Sequence, residues 1–176
     1  MHTKQVLCFL AKTVMVLSMI LQPSYALDQR ELTIKAAYLF RFSLFAEWPE
    51  TSLKSVDMVF CIAGDEKITQ ILKDVLKGRQ RNQQAITVTK VKPKDDLSIC
   101  HLLYIPQTSA LTEHFLNAVQ NRPILTVGES DVFLHQDGMI YLFKKDNRIR
   151  FAINQDAAQL ANLNLRAQLL KLAEQP

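Results

Sequence analysis

Glycine is scarce in this chain: the four in 176 residues, Gly64, Gly78, Gly128 and Gly138, stand too far apart to form a loop that cradles a phosphate. There is no GxSxG, so the nucleophile elbow of a serine hydrolase is missing. Histidine is nearly as sparse. His101, His114 and His135 have no metal-ligand spacing, and neither CxxC nor HExxH occurs. His101, beside Cys100, reads as a strand residue rather than a ligand. No catalytic residue, metal or cofactor is therefore expected, and the chain is not read as an enzyme. Repeats, low-complexity tracts and long Gly/Pro/Ser linkers are also lacking, which leaves a single domain.

The first 26 residues are read as an export leader, outside the fold. Lys4 sits in a polar start, Thr13 to Leu21 is apolar, and Ser24-Tyr25-Ala26 places small side chains where a signal peptidase reads. Cleavage is expected after Ala26. An uncleaved anchor is the alternative, but Lys12 interrupts the run and leaves about ten apolar residues where about 20 are needed to cross a bilayer. No later stretch is longer, so direct membrane insertion is not expected. Without Lys4 and Lys12, 19 basic residues face 17 acidic ones, and nucleic-acid binding has no electrostatic motive. Two cysteines remain in residues 27–176, Cys61 and Cys100. In an oxidising compartment they form a pair or, failing that, two separate buried thiols.

What is present is hydrophobic pattern. Ile34 to Glu50, IKAAYLFRFSLFAEWPE, is a dense helix with Asp28 or Thr33 as its cap and Pro49 as its stop. At 100° per residue Ile34, Ala37, Tyr38, Phe42, Leu44, Phe45 and Trp48 share a stripe expected to face the core, with Arg41 in its middle. Leu39 and Phe40 leave that stripe and are the expected partner contacts, together with Leu163 and Leu165 of the C-terminal region. Arg41 either snorkels to water or anchors a carboxylate of a partner or ligand, which adds it to the expected partner contacts.

Val56 to Ala63 is a continuous apolar run, hence a central strand covered on both faces. A helix follows from Ile68 and stops at Gly78. Ala85 to Val91 alternates as a half-exposed strand, Cys100 opens a second buried strand, and Ser109 or Thr112 caps the next helix. A short strand ILTV and a loop carrying Phe133 and Leu134 come next. Two antiparallel strands then turn at Lys145-Asp146-Asn147. Asn154 caps a leucine-rich end that Asn162 and Asn164 break in two. The expected fold is a single α/β domain over residues 27–176: a mixed central sheet of about six strands with about five helices on both faces. Lys144, Lys145, Arg148 and Arg150 cluster at the turn. They form a solvated strand end or, with Arg41, a receptor for a small anion or nucleotide.

AAYLFRFSLFAEWPE, the CIAG strand, Cys100 heading an apolar strand, LTVGES, Gly138-Met139-Ile140, RIRFAIN and a terminal LLKLA together resemble the YfiR family of periplasmic regulators, from about Ile34 to Ala173. The resemblance implies a periplasmic α/β domain that binds the periplasmic region of an inner-membrane diguanylate cyclase and holds it inactive, lowering cyclic di-GMP and biofilm formation. It implies release by an outer-membrane lipoprotein or by misfolding under reducing stress, a homodimer, and a bridge between Cys61 and Cys100, which match the family's pair. The second cysteine pair of the best-known members, between about Phe133 and Tyr141, is absent here. Any redox response would run through Cys61 and Cys100.

Overall fold

The computed structural model describes residues 23–52, 57–64, 66–107 and 110–174, with backbone only at 23–28 and 51. The expected leader lies outside the described residues as far as Gln22, as do Val56 and Ser109 from the expected strand and cap. Helix α1 spans Pro23–Phe45 and is followed by β1 (Ala46–Glu47). Then come β2 (Met58–Ile62), α2 (Glu66–Leu76), the hairpin β3 (Gln80–Arg81) and β4 (Gln84–Lys90), and β5 (Leu102–Ile105). The chain continues through α3 (Thr112–Ala118), β6 (Leu125–Gly128), the hairpin β7 (Ile140–Lys145) and β8 (Arg148–Ile153), α4 (Gln155–Leu160), β9 (Asn164–Leu165) and α5 (Ala167–Leu170).

Seven strands form one mixed sheet in the order β3-β4-β2-β5-β6-β7-β8. The five inner strands are parallel and the two edge strands antiparallel to their neighbours. The expected α/β fold is confirmed, with seven strands in place of about six. A separate ribbon, β1 with β9, has no counterpart in the expectations, because two-residue strands leave no periodicity to detect.

Period-two alternation divides the core. Met58, Phe60, Ile62, Leu102, Tyr104, Leu125 and Val127 point to one face, under α1, α2 and the C-terminal segments. Cys61, Ala63, Leu103 and Ile105 point to the other, with α3 residues Phe115 and Leu116 and with Phe133. Both faces being apolar, β2 and β5 read as unbroken hydrophobic runs. The Cys61–Cys100 bridge is formed, with Cα atoms 5.7 Å apart, and lies in the second of these clusters.

Local expectations fare unevenly. Asn154 caps α4, its side chain accepting from the Ala157 amide at 3.0 Å. The β7–β8 turn places Asp146 and Asn147 at φ 49° and 58°, the hairpin geometry such residues tolerate. Gly78 ends α2 at φ 73°. Thr112 is the first residue of α3 and Leu111, with no capping side chain, precedes it, so Thr112 is not the cap. Thr33 lies inside α1, where its hydroxyl donates to the Gln29 carbonyl. The loop expected around Phe133 forms a short 3-10 turn, and Phe133 is fully buried in it. Its ring fills the space where a Cβ on Gly128 or Gly138 would stand.

The end of α1 is held by a residue from the far edge of the sheet. Arg81 donates from Nε to the Ser43 carbonyl at 2.6 Å and from Nη2 to the Ala46 carbonyl at 2.8 Å. Its guanidinium also lies 4.8 Å from the Trp48 ring. Trp48 Nε1 donates to the His101 carbonyl at 3.2 Å, and His101 Nδ1 accepts the Val59 amide at 3.1 Å. Burial first, with the Arg81 charge adding and a backbone contact at Ser52 opposing, holds His101 below its ordinary 6.5. The folded state therefore prefers the neutral imidazole. That preference contributes stability above the unfolded pKa of about 6.5, and the contribution is lost as pH falls through the lower folded value.

Two outcomes follow. Cys61→Ser is expected to cost about 2–5 kcal/mol in oxidising buffer, read by urea denaturation; an unchanged midpoint would show that the bridge adds nothing. His101→Gln should flatten the loss of melting temperature between about pH 7 and pH 5, and an identical pH profile in the variant would sink that assignment.

Candidate interaction site

Helix α1 buries Leu32, Ala36, Leu39 and Phe42, the three-and-four spacing of a core-facing seam. The opposite side carries Ile34, 48% exposed, and Leu44, 37% exposed, with Ala37 and Arg41 between them on the surface. The expected division holds for Tyr38, Phe42, Phe45 and Trp48, which are buried or packed on the core, and fails for Ile34, Ala37 and Leu44, which are exposed, and for Leu39, which is buried. Leu39 is 0% exposed, and Leu163 and Leu165 are also core residues, so none of the three offers a surface to a partner. Phe40 is half-buried against the core, with the Arg79 guanidinium 4.9 Å from its ring. Arg41 stands at the surface and needs no buried counter-charge.

The departure has a physical cause: α1 carries apolar residues around most of its circumference, so periodicity alone does not single out a core side, and Trp48 is buried from beyond the helix end.

The hairpin cations are brought together in part. Lys144, Arg148 and Arg150 line a groove of about 840 Å³ whose other wall is α1, through Arg30, Glu31, Ile34 and Tyr38. Arg41 does not line it. Lys145 turns aside to Glu174 at 3.3 Å. Lys144 pairs with Glu31 at 3.3 Å, and Arg150 Nε stands 3.2 Å from Glu174 Oε1. Among the described residues Arg30 and Arg148 have no carboxylate partner, so the groove keeps a net positive wall above an apolar floor. That arrangement suits a carboxylate or phosphate bearing an apolar group.

Beyond the Lys144–Glu31 pair lies a second space of about 320 Å³, lined by Lys35, Gln107, Glu129 and Tyr141. Lys35 Nζ bridges Glu31 at 2.7 Å and Glu129 at 3.0 Å, and the buried Tyr104 hydroxyl donates to the other Glu129 oxygen. Burial alone would lower the Lys35 pKa, but the two carboxylates outweigh it and raise the ammonium above its ordinary value. Tyr104 is pushed well up, by burial first and then by the Glu129 charge. Tyr104 therefore stays neutral and Lys35 charged, and the network fixes α1 to the ends of β5 and β6. Sequence reasoning missed Arg30, Lys35, Tyr104 and Glu129; only the i,i+4 spacing of Glu31 and Lys35 could have flagged a part of it.

The strand order reverses between β2 and β5, where open α/β sheets bind ligands beyond the carboxyl ends of their strands. Here Pro106 closes on Gly64, whose Cβ, were there one, would stand 3.1 Å from the Pro106 ring. Among the described residues no group of three or more His, Cys, Asp or Glu could hold a metal ion, and no helix is long and apolar enough to cross a membrane.

A family profile described as YfiR/HmsC-like matches residues 32–174. The chain belongs to the YfiR/HmsC-like family. The resemblance carried by the α1 sequence, the two cysteines and RIRFAIN is thereby confirmed. The family consists of periplasmic regulators of cyclic di-GMP signalling, regulatory rather than catalytic, and is associated with diguanylate cyclase-related partners. No curated protein matches the chain.

The orientation of α1 is open to a direct check. Leu39→Ala should lower stability by about 2–5 kcal/mol, whereas Leu44→Ala should stay within about 0.5 kcal/mol, both by urea denaturation. Equal costs would mean that the exposed and buried sides are wrongly assigned.

Proposed function

We propose that this protein is a periplasmic repressor that binds the periplasmic region of an inner-membrane diguanylate cyclase and holds it inactive, lowering cyclic di-GMP and biofilm formation. Family membership over residues 32–174 carries the reading. The exposed side of α1 supplies a surface for it: Ile34, Ala37 and Leu44 at helical spacing, with Arg41 among them, present apolar area and a cation on a rigid element. An outer-membrane lipoprotein would release the cyclase by taking the repressor away, and the repressor itself would be a homodimer. No chemistry on the cyclase is required, because repression by binding needs only a higher affinity for its inactive state.

The groove between α1 and the β7–β8 hairpin favours a second reading, a module that takes a small anion or nucleotide without catalysis. Arg30, Lys144, Arg148 and Arg150 would hold the charged group, and Ile34 and Tyr38 an apolar one.

Where a diguanylate cyclase is encoded beside this protein, its immobilised periplasmic segment should capture it. Ile34→Glu combined with Leu44→Glu should weaken capture at least about tenfold while leaving the melting temperature in place. No complex with the wild type, together with unchanged cyclic di-GMP on deletion, would remove the first reading. For the second, a thermal-shift screen of phosphates, nucleotides and carboxylates should raise the melting temperature, and Arg148→Glu should abolish the rise. A flat screen argues against it.

A further inference from the structure

The two edges of the seven-stranded sheet are treated differently. Edge strands expose unpaired amides and carbonyls that invite another chain, and folded proteins normally cover or blunt them. On β8 two of the outward carbonyls are covered: Ile149 accepts from the Tyr38 hydroxyl at 3.1 Å, and Phe151 from the Glu174 amide at 2.9 Å. On the opposite side β3 is only two residues long and covers β4 no further than Ala85.

The hydrogen-bond phase of β4 fixes which groups stay open. The Val91 amide donates to Ile62 of β2, and the Ile86 amide donates outward to the Arg79 carbonyl at 3.1 Å. Residues 87, 89 and 91 thus bond inward and residues 86, 88 and 90 face outward. Among the described residues the Val88 and Lys90 amides and the Ile86 and Val88 carbonyls have no partner. The strand around them, ITVTK, is β-branched, without proline or glycine, and half-exposed, which suits continued pairing.

We infer that the outer edge of β4 receives an extended segment of a partner protein as an added strand, and that this segment is acidic. Charge selects the occupant. Lys77 and Arg79 lead into the edge and Lys90 and Lys92 follow it, so both ends of the open stretch are basic; Lys90 is met by Glu66 only at 3.6 Å. Two copies paired edge to edge about a two-fold axis would lay the Lys90 end of one against the Arg79 end of the other, placing like charges together. A foreign strand with carboxylates near its ends meets opposite charge at both, and its main chain supplies partners for the open groups.

The site lies across the sheet from the β7–β8 hairpin and does not depend on the cyclase reading. Its test uses the exported chain, isotopically labelled, and a synthetic peptide, acetyl-Glu-Val-Thr-Val-Thr-Val-Glu-amide. At low salt the peptide should slow exchange of the Val88 and Lys90 amides at least tenfold, and the same peptide with Lys in place of Glu should bind at least tenfold more weakly. Val88→Pro removes an outward amide and leaves the β2 ladder intact, and should abolish the protection. Should that variant fold poorly, Thr87→Glu, on the exposed face, should weaken the acidic peptide at least tenfold by repulsion. Unchanged exchange at saturating peptide, or equal binding by a folded Val88→Pro, overturns the inference. So does a wild-type dimer in sedimentation that Val88→Pro dissociates, because the occupant would then be a second copy.

Discussion

The Arg81 guanidinium is the point on which the arrangement turns. It comes from a two-residue edge strand, yet it satisfies carbonyls at the end of α1 and stacks on Trp48, which in turn bonds the chain leading into β5. Helix, edge hairpin and central sheet meet at one side chain. A cation at a helix C-terminus also opposes the negative end of the helix dipole. Burial lowers the Arg81 pKa, the nearby Arg166 adds to that, and Glu47 works against it. The guanidinium remains charged because its ordinary pKa is so high. A lysine could not reach two carbonyls and a ring face at once.

How legible this was in the sequence depends on the range of the causes. Strands β2, β5 and β6, the β7–β8 turn, the Asn154 cap and the Gly78 stop all announce themselves within a few residues, through apolar runs or side chains that tolerate special backbone angles. The Cys61–Cys100 bridge was legible from count and compartment. Arg81, the β1–β9 ribbon and the Lys35–Glu129–Tyr104 network depend on partners far apart in the chain, and no local pattern reports them. The orientation of α1 was only partly legible because apolar residues surround most of the helix, so its angular pattern names no single core side.

The surface divides by function in the same way. Where α1 passes over the β7–β8 hairpin, cations surround an apolar floor. Next to it on the exposed side of that helix, Ile34, which also lines the groove, and Leu44 flank Arg41 on a rigid stripe. At the other end of the sheet, β4 leaves backbone groups open. Each surface is built from regular elements rather than loops. The ligand crevice common to doubly wound sheets is narrowed by Pro106 on Gly64, consistent with a regulatory family.

The β1–β9 ribbon sets an order in time. Ala46 pairs with Leu165, the Arg166 amide bonds the Phe45 carbonyl, and Glu47 meets Arg166 across 119 residues. Contacts of such long range are slow to form, because the chain between them must first be gathered in. A chain that emerges N-terminus first therefore presents α1 early, with its buried seam of Leu32, Ala36 and Leu39 uncovered. The residues that secure the end of that helix are among the last to arrive.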